Sequence, residues 1–475
     1  MIFSSTLFLF AFLPAVLVCY YGQKILSPVG LRNAILLFFS YLFYLHGATD
    51  FLLVLIVSTL LDFILGLFMV RHAYFKRLWL LFSLVLNLGL LVYFKYANFF
   101  VTELNAIFPH VSLSAIHWEH VLLPIGISFF TFQKLSYIID VYRGKSRPAS
   151  NMIDFALYIA MFPQLIAGPI VRFGQIRDQL KIRRESWNAC FHGILRFCWG
   201  LGKKVMIADS CGRIADVVFS MPVSLLDTKT AWLGAIAYAL EIYFDFSAYS
   251  DMAIGLGLLF GFRLPENFQR PYSAISIRDF WRRWHMTLGQ WFRDYLYIPL
   301  GGNRGGIVRT CMNLSIVCVL CGLWHGAGWT FALWGIYHGG FMVIERLGGL
   351  RDRSPGKYIV LRRGATLLIV IIGWVLFRSE TLTGALGYLG AMATLTDLPM
   401  TYELKSVLNH RNLFFMAMAL PVFFLPGDFS LLQRFTRTND RVLQFSGIVF
   451  ILILLPYCVG LMLGDVESSF IYYRF

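Results

Sequence analysis

Charge is scarce in this sequence. Only 14% of its 475 residues are charged, 58% are hydrophobic, and the mean hydropathy is +0.66. A soluble domain carries about a quarter of its residues charged, so a soluble enzyme or binding module is excluded. The sequence shows no low-complexity tract, no internal repeat and no polar stretch long enough for a separate soluble domain. The eight cysteines, Cys318 and Cys321 among them, lie mostly in or beside apolar runs. A disulfide framework would place paired cysteines in oxidising aqueous loops. The short alternating segments of a transmembrane barrel are also missing.

What is present is a succession of apolar runs. At about 20 residues per crossing they predict roughly ten to twelve spans, and so an all-α polytopic membrane protein. Met1–Tyr21 has neither a basic leader nor a small-residue cleavage site and reads as a retained first span. Further spans are expected at Asn33–Leu45, Phe51–Val70, Leu78–Phe94, Val121–Asp140, Trp187–Asp209 and Ala231–Ser247. They resume at Cys311–Leu323, Trp329–Ile344, Ile359–Phe377, Leu413–Leu425 and Phe445–Leu463.

Acidic residues are fewer than basic ones, 26 against 41, for a net charge of +15. Lysine and arginine fill short loops that stay in the cytoplasm and face anionic lipid. No soluble basic domain exists to bind nucleic acid. The basic loop 71–77 sets the third-to-fourth connection inside, which also places Lys24, Arg32, Arg143, Lys145 and Arg147 inside. Met152–Ile170 contains Pro163, Gly168 and Pro169 and has basic residues at both ends, so it is expected to be re-entrant. Arg270–Gly306 is a polar, aromatic, glycine-rich interruption. The chain therefore reads as one membrane domain over 1–475: N-terminal spans to 140, a core from 141 to 306, and C-terminal spans from 307.

His325 sits inside Cys321-Gly322-Leu323-Trp324-His325-Gly326-Ala327-Gly328-Trp329, at membrane depth. Imidazole takes and returns protons near neutral pH, and an intramembrane ionisable group is a functional candidate. Arg278–Leu288 reads as an amphipathic helix with Trp281, His285 and Leu288 on one face and Arg278 and Arg282 on another. The arginines suit a phosphate- or carboxylate-bearing donor, or equally a lipid headgroup reached by snorkelling. Asn303 lies in a glycine cluster without Walker-loop spacing, which fits a cytoplasmic turn.

Cys318, Cys321 and His325 share a helical face, but no fourth ligand is evident, so neither a metal nor a bound cofactor is expected. A Cys321–His325 nucleophilic dyad is the other reading of that face. His338 is thirteen residues beyond His325 and points away from it on a continuous helix, so a structural role is expected there, as for His192. Glu241, Asp245 and Asp251 must face an interior cavity or pair with cations.

The order of several motifs resembles the membrane-bound O-acyltransferase family, in its alginate O-acetylase branch. They are Tyr93-Phe94-Lys95-Tyr96, Pro124-Ile125-Gly126-Ile127-Ser128-Phe129, Phe162-Pro163-Gln164-Leu165-Ile166-Ala167-Gly168-Pro169-Ile170, Phe244–Ala253, Trp281–Pro299, Gly322–Ala327 and the closing Phe470–Phe475. The resemblance implies a curved ring of helices around a central funnel with re-entrant segments. It matches His325 to the family's signature histidine and His285 to the second one. Arg282, Arg283, Trp281, Trp324, Asp245, Asp251 and Asn303 are then candidates for holding donor or acceptor.

The implied activity passes an acetyl group from a cytoplasmic donor, acetyl-CoA, across a bacterial inner membrane for O-acetylation of a polysaccharide. Alginate is the foremost acceptor, with cellulose or peptidoglycan as others. An extracytoplasmic SGNH-type acetyltransferase and the polysaccharide biosynthesis complex are the expected partners. The competing reading is a transporter or lipid flippase, which would show inverted repeats and paired broken helices that this sequence does not display.

Overall fold

A computed structural model describes residues 1–22, 29–111, 113–349, 358–426, 441–464 and 470–471. Lys24 and the Tyr472–Phe475 end of the closing motif lie outside the described residues. Those described form helices and loops, with no strand among them.

The chain divides into two compact units, residues 1–190 with 256–265, and residues 191–255 with 266–475. The first contains α1 (Leu13–Gly22), α2 (Val29–Ala48), α3 (Leu52–Arg71), α4 (Lys76–Ile107), α5 (Ile127–Tyr142), α6 (Met152–Ala160) and α7 (Phe173–Lys181). α8 (Trp187–Gly202) and α10 (Thr228–Leu259) flank α9 (Asp209–Ser220). The second unit continues with α11 (Ile277–Arg283), α12 (Met286–Phe292), α13 (Gly306–His325), α14 (Trp329–Leu347), α15 (Ile359–Arg378) and α16 (Leu382–Ala393). It ends with α17 (Tyr402–Val407), α18 (His410–Ala419) and α19 (Arg441–Gly464).

Five helical stretches among the described residues are long and apolar enough to cross a membrane: Val29–Arg71, Ala73–Ile107, Gly306–His325, Ile359–Arg378 and Gln444–Gly464. The first is α2 and α3 joined by a short 3₁₀ turn, Thr49–Phe51. Several other apolar runs differ from the spans expected. Val121–Gly126 is not helical, and α5 begins only at Ile127, after Pro124 and a left-handed Gly126. Leu413–Leu425 gives a helix that stops at Ala419 and tightens into a 3₁₀ turn at Pro421, whose ring denies the backbone a donor. α10 carries Glu241, Asp245 and Asp251 and is buried along most of its length, so it is a core helix.

In the first unit, α3, α4 and α5 enclose a polar cluster. Asp62 accepts from Ser83 at 2.5 Å and Asn87 at 2.8 Å, and Lys134 Nζ reaches Ser58 at 2.7 Å and Asp62 at 3.9 Å. Each charge is buried, so each needs these partners. The break expected after Met152 is present: Asn151 caps α6 by accepting from Asp154 N at 2.8 Å. The chain then leaves the helix through a buried turn at Phe162–Gly168.

Candidate active site

The second unit positions its candidate chemistry with two helix breaks. The first follows His325. Gly326 and Gly328 are extended, α13 ends, and α14 starts afresh at Trp329. The two helices then pack face to face through glycine. A Cβ at Gly322 would stand 2.3 Å from the Phe331 carbonyl and 3.2 Å from the Gly335 Cα; one at Gly335 would stand 2.5 Å from the Cys318 carbonyl. Hydrogen at these positions lets the backbones approach, as small residues do in membrane helix pairs.

The second break falls between α11 and α12, where a single amphipathic helix was expected. Ser276 caps α11 by accepting from Asp279 N at 3.0 Å, and the helix stops at Arg283. His285 then adopts φ +42 and ψ +54, a left-handed conformation that histidine enters more readily than most residues but at a cost of about 1–2 kcal/mol. Asn267 offsets it. Its carbonyl accepts from Met286 N at 2.9 Å, and its Oδ1 takes Thr287 N at 3.2 Å and Thr287 Oγ1 at 2.9 Å. His285 Nδ1 lies 3.2 Å from the same Oδ1.

The breaks bring three histidines onto one cavity of about 400 Å³, walled also by Trp281, Cys321 and Trp334. His285, His325 and His338 are 2%, 4% and 2% exposed. Their rings alternate with indoles, edge to face. His285 packs at 6.1 Å on Trp324, Trp324 at 4.9 Å on His325, His325 at 5.4 Å on Trp334, and Trp334 at 5.1 Å on His338. Phe246 covers the other edge of His285 at 4.7 Å, and Phe377 lies 5.2 Å from His325. Such walls keep water from the imidazoles.

The cavity wall also includes Arg278, Arg282, Arg293 and Arg346, with a single carboxylate, Glu345. Glu345 is engaged by the first amides of α11, accepting from Ile277 N at 2.5 Å and Arg278 N at 3.1 Å. A partly apolar chamber that also carries arginines suits an acyl chain with an anionic handle.

The sequence-derived candidates separate in space. His285, His325, Trp281 and Arg282 line the cavity, and Trp324 lies between two of its imidazoles. Arg283 turns to Asp279, Nε to Oδ1 at 2.9 Å. Asp245 pairs with Lys204 at 2.7 Å and accepts from Ile471 N at 2.8 Å. Asp251 holds Arg196 and Lys203, each at 2.9 Å. Asn303 is exposed in the turn before α13. Those four are absent from the cavity wall.

His338 differs from expectation. The thirteen-residue offset from His325 turns it away only on a continuous helix, and the break at Gly326–Gly328 folds α14 back so that His338 faces the same chamber. Sequence reasoning also missed Asn267, since nothing in the loop sequence distinguishes it from other polar residues there. Among the described residues no group of three or more His, Cys, Asp or Glu is placed to hold a metal ion.

Residues 38–349 match the sequence model of MBOAT, the membrane-bound O-acyltransferase family. The chain belongs to this family. It is 48% identical over 401 residues to the probable alginate O-acetylase AlgI of Pseudomonas syringae pv. tomato, covering 84% of this chain and 76% of that protein. It is 35% identical over 449 residues to the peptidoglycan O-acetyltransferase of Helicobacter pylori, covering 87% and 84%. A more distant similarity, 27% over 285 residues, links it to the teichoic acid D-alanyltransferase of Bacillus subtilis, covering 57% of this chain and 71% of that one. The protein is thus a membrane acyltransferase. His285, His325, His338 and Asn267 all fall inside the family match.

Proposed function

We propose that this MBOAT acyltransferase takes an acetyl group from acetyl-CoA on the cytoplasmic side of a bacterial inner membrane and delivers it for O-acetylation of an extracytoplasmic polysaccharide, alginate foremost. The observation that carries the reading is the chamber with buried His285 and His325 on its wall and four arginines around it. Arg278, Arg282 and Arg346 hold the donor's phosphates by bidentate hydrogen bonds, while Arg293 is committed to Asp294, Nε to Oδ1 at 2.7 Å. His325 accepts the proton of an acceptor hydroxyl as its oxygen attacks the thioester carbonyl. The C–S bond breaks, and the leaving thiolate takes up the proton from the imidazolium. Positioned general-base catalysis of this kind is worth about 10²–10⁴-fold. The hydroxyl acetylated in the chamber belongs to a carrier that passes the acetyl group to an SGNH-type acetyltransferase partner, which places it on the final acceptor, the polymer.

The similarity to AlgI proteins favours alginate, and the Helicobacter pylori relative makes peptidoglycan the acceptor to measure beside it. The test compares O-acetyl content of secreted polysaccharide and of peptidoglycan in cells with no copy, the wild type, or His325→Ala. Loss from one polymer in both defective strains, with His325→Ala protein at its normal level in membranes, supports the reading and names the acceptor. Full acetylation by His325→Ala would refute it.

A further inference from the structure

We infer that Asn267 is a positioning residue that locks His285 in the tautomer carrying its proton on Nδ1, making Nε2 the ring's hydrogen-bond acceptor in the chamber where His325 acts as base. The inference rests on the proposed function for what the chamber does, but the tautomer follows from hydrogen-bond chemistry alone. Thr287 N is a backbone amide and can only donate, so the Asn267 atom it meets at 3.2 Å must be the carbonyl oxygen. The amide nitrogen on the other branch donates to Ser250 Oγ at 3.3 Å, which agrees. That oxygen has no proton to give. His285 Nδ1, 3.2 Å from it, must therefore be the donor, and the ring's lone pair is on Nε2.

The position of Asn267 suits the task. It is 1% exposed, so water does not compete for its oxygen. It also grips three consecutive residues, His285, Met286 and Thr287, across the left-handed joint. Backbone and ring are thereby fixed by one residue, its main-chain carbonyl holding Met286 and its side-chain oxygen holding Thr287 and the ring, the way an outer partner orients a ligating or catalytic histidine. The carboxylates nearest to Asn267 in sequence, Glu266 and Asp279, are taken up by Arg196 at 2.5 Å and by Arg283 at 2.9 Å. A neutral amide thus holds this histidine, in contrast to a triad's carboxylate.

The test uses full-length protein in lipid nanodiscs with ¹⁵N-histidine labelling, the His285 signal being assigned by its loss in His285→Gln. Wild type is expected to show a protonated Nδ1 and an unprotonated Nε2, and Asn267→Asp, which keeps the acceptor oxygen, a protonated Nδ1. Asn267→Leu is expected to lose that single tautomer. Its kcat for acetyl transfer from acetyl-CoA should fall about 10²-fold, the scale of a misaligned group in the site, while KM changes little. Restored kcat in Asn267→Asp separates orientation from bulk packing. A wild-type spectrum with the proton on Nε2, or an Asn267→Asp spectrum with none on Nδ1, overturns the inference, whether or not Asn267→Leu folds. So does an Asn267→Leu enzyme with unchanged tautomer and kcat. A wild type with the proton on Nδ1 but no acetyl transfer supports the role of Asn267 and removes the proposed reaction.

Discussion

Gly335→Ala adds one methyl group to the chain, at the point where α14 crosses α13. Its Cβ would lie 2.5 Å from the Cys318 carbonyl oxygen and 2.9 Å from the Val319 Cα, both backbone atoms that no rotamer change can move away. Ordinary contact begins near 3.4 Å, so the helices must separate by about 1 Å in a region packed like an organic crystal. Overpacking of this kind costs about 1–3 kcal/mol. The functional loss should exceed the loss of stability. His325 and His338 ride on these two helices, and a displacement near 1 Å costs about 10²-fold in rate when reacting groups must align. Gly340→Ala is the control, five residues further along α14, where an added methyl meets nothing within 4 Å. The assay is the O-acetyl content of exported polymer in complemented cells, with thermal unfolding of each purified variant. Gly335→Ala should lose nearly all acetylation and unfold at lower temperature; Gly340→Ala should match wild type in activity and lose no stability. Wild-type acetylation by Gly335→Ala would refute the argument that the glycine contact sets the geometry of the chamber.

Gly373→Ala brings a methyl to 2.5 Å from His338 Nε2, so it should displace that ring and reduce acetyl transfer about tenfold, read as initial rate, if His338 belongs to the working chamber. Arg282→Ala should raise KM for acetyl-CoA about tenfold by removing a phosphate contact, whereas Arg283→Ala should leave KM unchanged because its guanidinium is committed to Asp279. Lys204→Met strips the shared cation from Asp209 and Asp245, at 2.8 Å and 2.7 Å, and should cost about 3–5 kcal/mol, measured as a lower unfolding temperature of purified protein.

The helices were legible where apolar runs are uninterrupted. α3, α4, α14, α15 and α19 lie where hydropathy places them, within a few residues at most ends. Legibility failed where a helix stops for reasons outside its own sequence. Arg278–Leu288 has the periodicity of one helix, and only Asn267, eighteen residues before His285, makes a left-handed residue there tolerable. Trp281, His285 and Leu288 nevertheless reach one cavity, because the break turns the second segment without turning it away. The same lesson applies to His338, where Gly326 and Gly328 end one helix and reset the angular phase of the next. Asp245 and Asp251 were legible as groups needing cations. That Lys204, Lys203 and Arg196 supply them, away from the chamber, required the fold.

The placement of the two principal histidines follows from what a buried interior permits. A side chain in the middle of an unbroken helix has its backbone groups satisfied and its direction fixed by the helix. The chain can re-aim a residue only by breaking the ladder, and in a buried interior each freed amide then needs a partner inside the protein. His325 occupies the last turn of α13, and His285 immediately precedes α12. At His285 the freed amides of Met286 and Thr287 both go to Asn267. At His325 the Gly326 amide still reaches back to the Gly322 carbonyl, at 3.4 Å, across the turn where the α14 backbone comes closest. Gly322 and Asn267 therefore do the same work in different ways, one by taking up no space and the other by accepting hydrogen bonds. Asn267 should accordingly tolerate only side chains that present an acceptor at the same reach, and Gly322 should tolerate none with a Cβ. Saturation mutagenesis at the two positions, scored by polymer O-acetylation, is expected to return Asp alone at 267 and no substitute at 322; active alanine variants at both sites would refute this account of how the breaks are held.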